Sequence, residues 1–129
     1  MTTWYVDTSA ALKLILREPE SASLIEAIAG ARPALVGSNL LETELRRAAH
    51  RSTVLTQRHV SGLLARFSLY DVPAAVFTQA GLLPGASLRS LDALHLASAM
   101  ALEVDAVVTY DHRLAEAATD VGLPVLAPR

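Results

Sequence analysis

Short apolar runs alternate along the chain with longer stretches of helical periodicity, and that alternation admits few folds. Trp4–Val6 reads as a strand, followed by a helix capped by Thr8 or Ser9 that carries Ala11, Leu12, Ile15 and Leu16 until Pro19 breaks it. A second helix carries Ala22, Leu24, Ile25 and Ile28 up to Gly30. Pro33 leads into a strand at Ala34–Gly37, and Ser38 or Asn39 caps a helix to about Arg51. Thr56–Arg66 reads as a helix, Leu69–Val72 as a strand and Ala74–Leu82 as a helix, before a loop at Leu83–Leu88 marked by Pro84, Gly85 and Ser87. Ser90 caps a helix through Leu102, Ala106–Thr109 is a strand, Asp111–Val121 is a helix closed by Gly122, and Pro124–Leu126 is a last short strand. Successive strand–helix units of this kind predict an α/β fold, a central parallel sheet with helices on both faces.

The chain has 129 residues and neither repeats nor linkers, so one domain over residues 1–129 is expected. With 52% hydrophobic but only 5% aromatic residues, its core must be built from Leu, Val, Ile and Ala. A formal charge of −2 gives no global basic field, and nucleic-acid contacts would have to come from a local patch. The absence of cysteine excludes thiolate metal sites, thiol nucleophiles and disulfides, and fits a reducing compartment. The N-terminus lacks the basic start and apolar run of a signal peptide, and no apolar stretch reaches the ~20 residues of a membrane helix. The expectation is a cytoplasmic protein.

Four acidic residues stand where apolar segments end or turn inward: Asp7, Glu44, Asp92 and Asp111. In an open parallel sheet, ligands bind outside the carboxyl ends of the strands, where Asp7 and Asp111 fall. Each alone is explained by helix capping, worth roughly 0.5–2 kcal/mol. Asp92 is harder to explain so simply, because the helix Ser90–Leu102 is apolar nearly all round and reads as buried. The helix dipole returns about 0.3–1 kcal/mol to an acid near its start. Desolvating an ion costs several. Gathered together, the four would form an all-oxygen set suited to Mg²⁺ or Mn²⁺, which points to metal-dependent phosphodiester chemistry.

Glu42 and Glu44 cannot share one site, since two residues of helix is about 200° of rotation. They flank the apolar stripe of Leu41, Leu45 and Ala48 on opposite sides, and the pattern leaves the choice open. Arg47 and Arg51 follow Glu44 at helical spacings and read first as surface ion-pairing residues, with a phosphate-contacting patch as the alternative. His95 lies one turn after Asp92, but its apolar flanks favour a hydrogen-bonded core histidine over a metal ligand. His50, His59 and His112 read as surface residues.

Taken in order, Val6-Asp7-Thr8-Ser9, Ser38 with Glu44-Leu45-Arg46, Leu91-Asp92-Ala93-Leu94-His95-Leu96-Ala97 and Val108-Thr109-Tyr110-Asp111 resemble the PIN-domain family, and within it the VapC toxins of bacterial toxin–antitoxin pairs. The likeness spans the whole chain. The family places a Ser or Thr six residues before its acid, as Ser38 stands before Glu44, so the resemblance selects Glu44 over Glu42. It implies Asp7, Glu44, Asp92 and Asp111 as the catalytic quartet, with Asp7 and Asp92 the principal metal ligands and Ser9 and Thr109 in support. It further implies a Mg²⁺-dependent endoribonuclease (Mn²⁺ being an alternative) that acts on RNA, structured RNA such as tRNA included. Hydrolysis by water would leave a 5′-phosphate and a 3′-hydroxyl. The implied partners are a VapB-type antitoxin and a second toxin copy, in a homodimer or a toxin–antitoxin hetero-oligomer.

Two rival readings stand beside this one. A receiver-type phosphoacceptor domain has similar alternation but needs a late-chain lysine, and the only lysine here is Lys13. A non-catalytic binding module on a PIN-like scaffold is opposed by the intact acids. Nucleotide-binding folds fit poorly, for neither Gly-x-Gly-x-x-Gly after the first strand nor Gly-x-x-x-x-Gly-Lys occurs.

Overall fold

A computed structural model describes all 129 residues. Five strands, β1 (Thr3–Val6), β2 (Ala34–Ser38), β3 (Ser68–Tyr70), β4 (Ala106–Val108) and β5 (Val125–Leu126), form one parallel sheet in the order β3-β2-β1-β4-β5. Between them run α1 (Thr8–Leu12), α2 (Ser21–Ala31), α3 (Asn39–Arg51), α4 (Gln57–Leu64), α5 (Ala74–Leu82), α6 (Ser90–Ala101) and α7 (His112–Asp120). The predicted α/β architecture is present. β1 is central, with Tyr5 beside Val36 of β2 and Val107 of β4.

Strand alternation divides the core. Trp4, Val6, Leu35, Ala106 and Val108 point to one face and pack with Leu24 of α2, Leu41 and Leu45 of α3, and Val60 and Leu63 of α4. Tyr5, Val36 and Val107 point to the other, against Ala99 of α6 and Val104. A sheet buried on both faces needs near-continuous apolar strands, as these are. Order at the sheet's carboxyl edge, where chemistry would sit, therefore depends on α1, α3 and α6 approaching from both sides.

Several predicted boundaries move for local reasons. The first helix stops at Leu12 instead of reaching Leu16, and Lys13–Ile15 continue with tighter i→i−3 backbone bonds. Pro19 disfavours helical backbone at Glu18, and Ser21 closes the corner by donating to the Leu16 carbonyl at 2.8 Å and accepting from the Glu18 amide at 2.9 Å. Neither Thr8 nor Ser9 caps α1; Asp7 does, its carboxylate accepting from the Ala10 amide. Ser90 is the first residue of α6 and Arg89 its cap position, while Asp111 caps α7 instead of lying inside it. The helix expected at Thr56–Arg66 is shorter because Thr56 is its cap, and the third strand is Ser68–Tyr70, not Leu69–Val72. Gly122, at φ +86°, ends α7 in a conformation that an L side chain rarely adopts and turns the chain toward β5.

Candidate active site

β1 and β4 end side by side, and the residues that follow lock the two ends together. The Asp7 amide donates to the Val108 carbonyl at 3.2 Å, prolonging the ladder by one bond. Asp7 Oδ1 accepts from the Ala10 amide at 3.0 Å and from Ser9 Oγ at 2.7 Å; Oδ2 accepts from Thr109 Oγ1 at 2.6 Å. The two hydroxyls are themselves fixed from below, Ser9 Oγ accepting from the Tyr110 amide at 2.9 Å and Thr109 Oγ1 from the Asp111 amide at 3.0 Å. Ser9 and Thr109 thus hold the Asp7 carboxylate in place. Only 3% of Asp7 is exposed, and burial raises its pKa even though Thr109, Ala10 and Ser9 all favour the charged form.

Asp111 accepts from the Arg113 and Leu114 amides at 2.8 and 3.1 Å, the geometry of an N-cap. The capping reading of Asp7 and Asp111 is therefore correct for both. It does not remove them from the cluster, because Asp92 registers their charge. Half-buried at the start of α6, Asp92 has its pKa raised first by burial, then by Asp111, Asp7 and Glu44, with His95 opposing. Asp7 and Asp111, from the ends of β1 and β4, and Glu44 of α3 thus all bear electrostatically on Asp92 of α6.

The two glutamates separate as helical geometry demands. Glu42 is exposed and pairs with Arg46 at 3.0 Å. Glu44 turns inward and accepts from His95 Nε2 at 2.5 Å. Burial would raise the Glu44 pKa, but the His95 hydrogen bond and charge outweigh it and hold the carboxyl below its ordinary value. His95, 2% exposed, is the hydrogen-bonded core histidine expected from its flanks. Its Nδ1 lies 2.7 Å from the Tyr5 hydroxyl, which is 3.1 Å from Ser38 Oγ. Sequence reasoning missed Tyr5. The available signal was a lone phenol on an otherwise apolar central strand, which needs a partner when buried. Burial pushes that phenol's pKa well up, so it stays protonated.

Arg47 and Arg51 form no ion pair, contrary to the first expectation for them. With Thr8, Glu44 and Leu91 they line a cleft of about 440 Å³ beside the acids. The buried Thr8 hydroxyl there makes no hydrogen bond of good geometry, although it lies close enough to Glu44 to favour the charged form. Lys13, the residue a receiver domain would need at its acids, pairs with Glu18 and Glu20 at 3.5 and 3.0 Å. His50, His59 and His112 are exposed, and His59 completes the capping box of α4 with Thr56.

No three of the histidine, aspartate and glutamate side chains close into a ready-made ligand shell. The donor set nonetheless fits a hard cation that retains its own waters. Mg²⁺ is commonly held by one or two carboxylates, with water completing six oxygens. Asp7 and Asp92 would supply the carboxylates, and the Thr8 hydroxyl, left without a hydrogen bond, shares its cleft with Glu44.

Comparison with known proteins places the chain in a family. The sequence profile of the PIN domain matches residues 4–120. Ribonuclease VapC35 of Mycobacterium tuberculosis is 39% identical over 130 aligned positions, covering 96% of each chain. Among solved structures, Mycobacterium tuberculosis VapC20, a Sarcin-Ricin loop cleaving toxin, superposes with a TM-score of 0.75 at 18% identity, over 97% of this chain and 99% of its own. DNA-bound VapBC from Salmonella typhimurium gives 0.73 at 20% identity, over 98% of each. No helix is long and apolar enough to cross a membrane. With a profile match across nearly its whole length and a VapC relative alike from end to end, the chain belongs to the PIN-domain family, in its VapC group.

Proposed function

We propose that this protein is a metal-dependent endoribonuclease toxin, with Asp7, Glu44, Asp92 and Asp111 as its catalytic acids. The observation that carries the reading is Asp92. Its proton affinity is raised by burial and by three other carboxylates, a charge arrangement that a fold maintains at a cost and that a divalent cation would relieve. The full-length likeness to a named ribonuclease supports RNA as the substrate class.

In this reading Asp7 and Asp92 would hold Mg²⁺ or Mn²⁺, with Glu44 and Asp111 completing the acidic set. A cation held there would supply a lowered pKa to a bound water and charge stabilisation at the scissile phosphate. Ser9 and Thr109 keep Asp7 from rotating away from the edge, through bonds of 2.7 and 2.6 Å. Water attacks phosphorus and gives up one proton, the bond from phosphorus to the 3′ oxygen breaks, and that oxygen takes up one proton and leaves as a hydroxyl. The products carry a 5′-phosphate and a 3′-hydroxyl.

Arg47 and Arg51, unpaired and lining the cleft with Glu44, are the contacts to the RNA backbone in this reading. Because the chain carries a net charge of −2, RNA binding should be weak and strongly salt-dependent. Selectivity then rests on the shape of an exposed single-stranded loop in a structured RNA. A VapB-type antitoxin inhibits by laying an arginine among the carboxylates, where a charge-assisted pair is strong. Fold likeness to VapBC assemblies, the one from Salmonella typhimurium among them, supports that partnership, and a second toxin copy is the other partner in this reading.

Incubating the purified protein with structured RNA tests the reading. Cleavage should stop in EDTA, return with Mg²⁺ or Mn²⁺ and be absent from Asp92→Asn. Undiminished cleavage in EDTA, by protein freed of contaminating nuclease, would overturn it.

A further inference from the structure

Four polar groups form one chain through the molecule: Ser38 Oγ, the Tyr5 hydroxyl, the His95 imidazole and the Glu44 carboxylate, joined at 3.1, 2.7 and 2.5 Å. We infer that His95, held by Tyr5, is a positioning residue that fixes one oxygen of Glu44 and leaves the other for a cation at the acidic edge. The inference rests on the proposed metal site, which it deepens by assigning residues that touch no substrate.

Three features carry it. His95 is 2% exposed and has a polar partner at each ring nitrogen, so the ring cannot turn without breaking one of them. Glu44 takes its hydrogen bond on Oε1, and the nearby Thr8 hydroxyl makes none of good geometry to either oxygen. Last, the chain ties the central strand β1, the end of β2, α3 and α6 at a single imidazole, so Glu44 is registered to the same strand that ends in Asp7. A glutamate on a flexible arm is otherwise free to sample several rotamers.

The hydrogen-bond roles are self-consistent. Glu44, a carboxylate at neutral pH, can only accept, so Nε2 must carry a hydrogen. On its other side Nδ1 lies 2.7 Å from the Tyr5 hydroxyl, which anchors the ring. Ser38 Oγ in turn accepts from the Tyr5 hydroxyl at 3.1 Å. Its hydroxyl is spent on this chain and makes no cap bond to α3, although Ser38 occupies the cap position. Groups that hold a metal's ligands in this way typically contribute about 10–100-fold to metal affinity.

Mn²⁺ binding by isothermal titration calorimetry, read beside melting in EDTA, tests the assignment on the full chain. His95→Leu should weaken Mn²⁺ binding at least about tenfold, Tyr5→Phe severalfold, and His95→Gln, which keeps one N–H donor, less than His95→Leu. In a Glu44→Gln background, His95→Leu should cause little further loss, because the group it positions is gone. Tyr5→Phe fills the same space and keeps the test valid if His95→Leu does not fold. If the folded variants bind Mn²⁺ as tightly as the wild type and only melt lower, His95 is structural and the inference is overturned. A wild type that takes up no Mn²⁺ would remove the metal site itself, a failure that the wild-type titration alone reveals.

Discussion

Asp7 and Glu44 both bear on the charge of Asp92, yet the protein treats them in opposite ways. Asp7 lies deeper and receives three hydrogen bonds, from Ala10, Ser9 and Thr109, but burial still raises its pKa. Glu44 is less deeply buried, receives its hydrogen bond from an imidazole, and is lowered. Neutral donors only partly replace lost hydration, whereas a partner able to carry charge more than replaces it. One side of the acidic edge is therefore held under electrostatic stress by a rigid hydroxyl frame. The other is relaxed by His95. A cation would find its strongest attraction at Asp7 and Asp92 and its most settled oxygen at Glu44.

The largest effect should follow from neutralising the stressed side. Asp7→Asn keeps an oxygen for the Ala10 cap, and asparagine is as good a cap as aspartate, so the protein should stay folded. RNA cleavage should fall about hundredfold or more, the scale for removing one element of a preorganised electrostatic site. Retained cleavage by Asp7→Asn in a gel assay would reduce Asp7 to a cap.

The relaxed side should respond less. Glu44→Gln should lower turnover at least about tenfold, since it leaves a neutral ligand in a similar place. Glu42→Gln should change it much less, because Glu42 is exposed and its pair with Arg46 is of the surface kind, worth about 0–1 kcal/mol at most. A reversed order of the two glutamates would show that the inward face of α3 has been assigned wrongly.

Acid titration of the metal-free fold sharpens the contrast further. For Asp7 and Asp92 the folded pKa lies above the ordinary 3.8, so the charged form is destabilising. That penalty is full above the raised pKa values and disappears as the pH falls toward 3.8. For Glu44, whose folded pKa lies below 4.5, stabilisation is full above 4.5 and is lost as the pH falls through the lowered value. In EDTA the urea midpoint should thus rise as the pH is lowered from neutrality, until Glu44 begins to protonate. Asp92→Asn should show a shallower rise. A midpoint that falls steadily from neutrality in the wild type would contradict the stress assigned to Asp7 and Asp92.

What could be read in advance was the frame. Alternating periodicity foretold the parallel sheet, and strand ends foretold where Asp7 and Asp111 would lie. Cap residues were the weak point. Thr8, Ser9 and Ser90 are all good formal caps, but Asp7 already occupied the first cap and Arg89 the last. Periodicity also could not choose between Glu42 and Glu44, which flank one stripe symmetrically. Tertiary contact with His95 turns Glu44 inward, and that contact spans 51 residues. The same holds for Tyr5, whose partners Ser38 and His95 lie 33 and 90 residues away. No local pattern announces bonds of that range.

The central claim is that Asp92 serves a cation at the expense of the metal-free fold, and melting curves of wild type and Asp92→Asn, each in EDTA and in Mg²⁺, test it most directly. In EDTA near neutral pH, Asp92→Asn should melt higher, since it removes one of four mutually repelling carboxylates. Mg²⁺ should stabilise the wild type, by about 2.7 kcal/mol at a hundredfold excess over its dissociation constant, and the variant much less. If Asp92→Asn melts lower in EDTA and Mg²⁺ shifts both proteins equally, Asp92 is a structural acid at the start of α6 and the metal site is not where the four carboxylates meet.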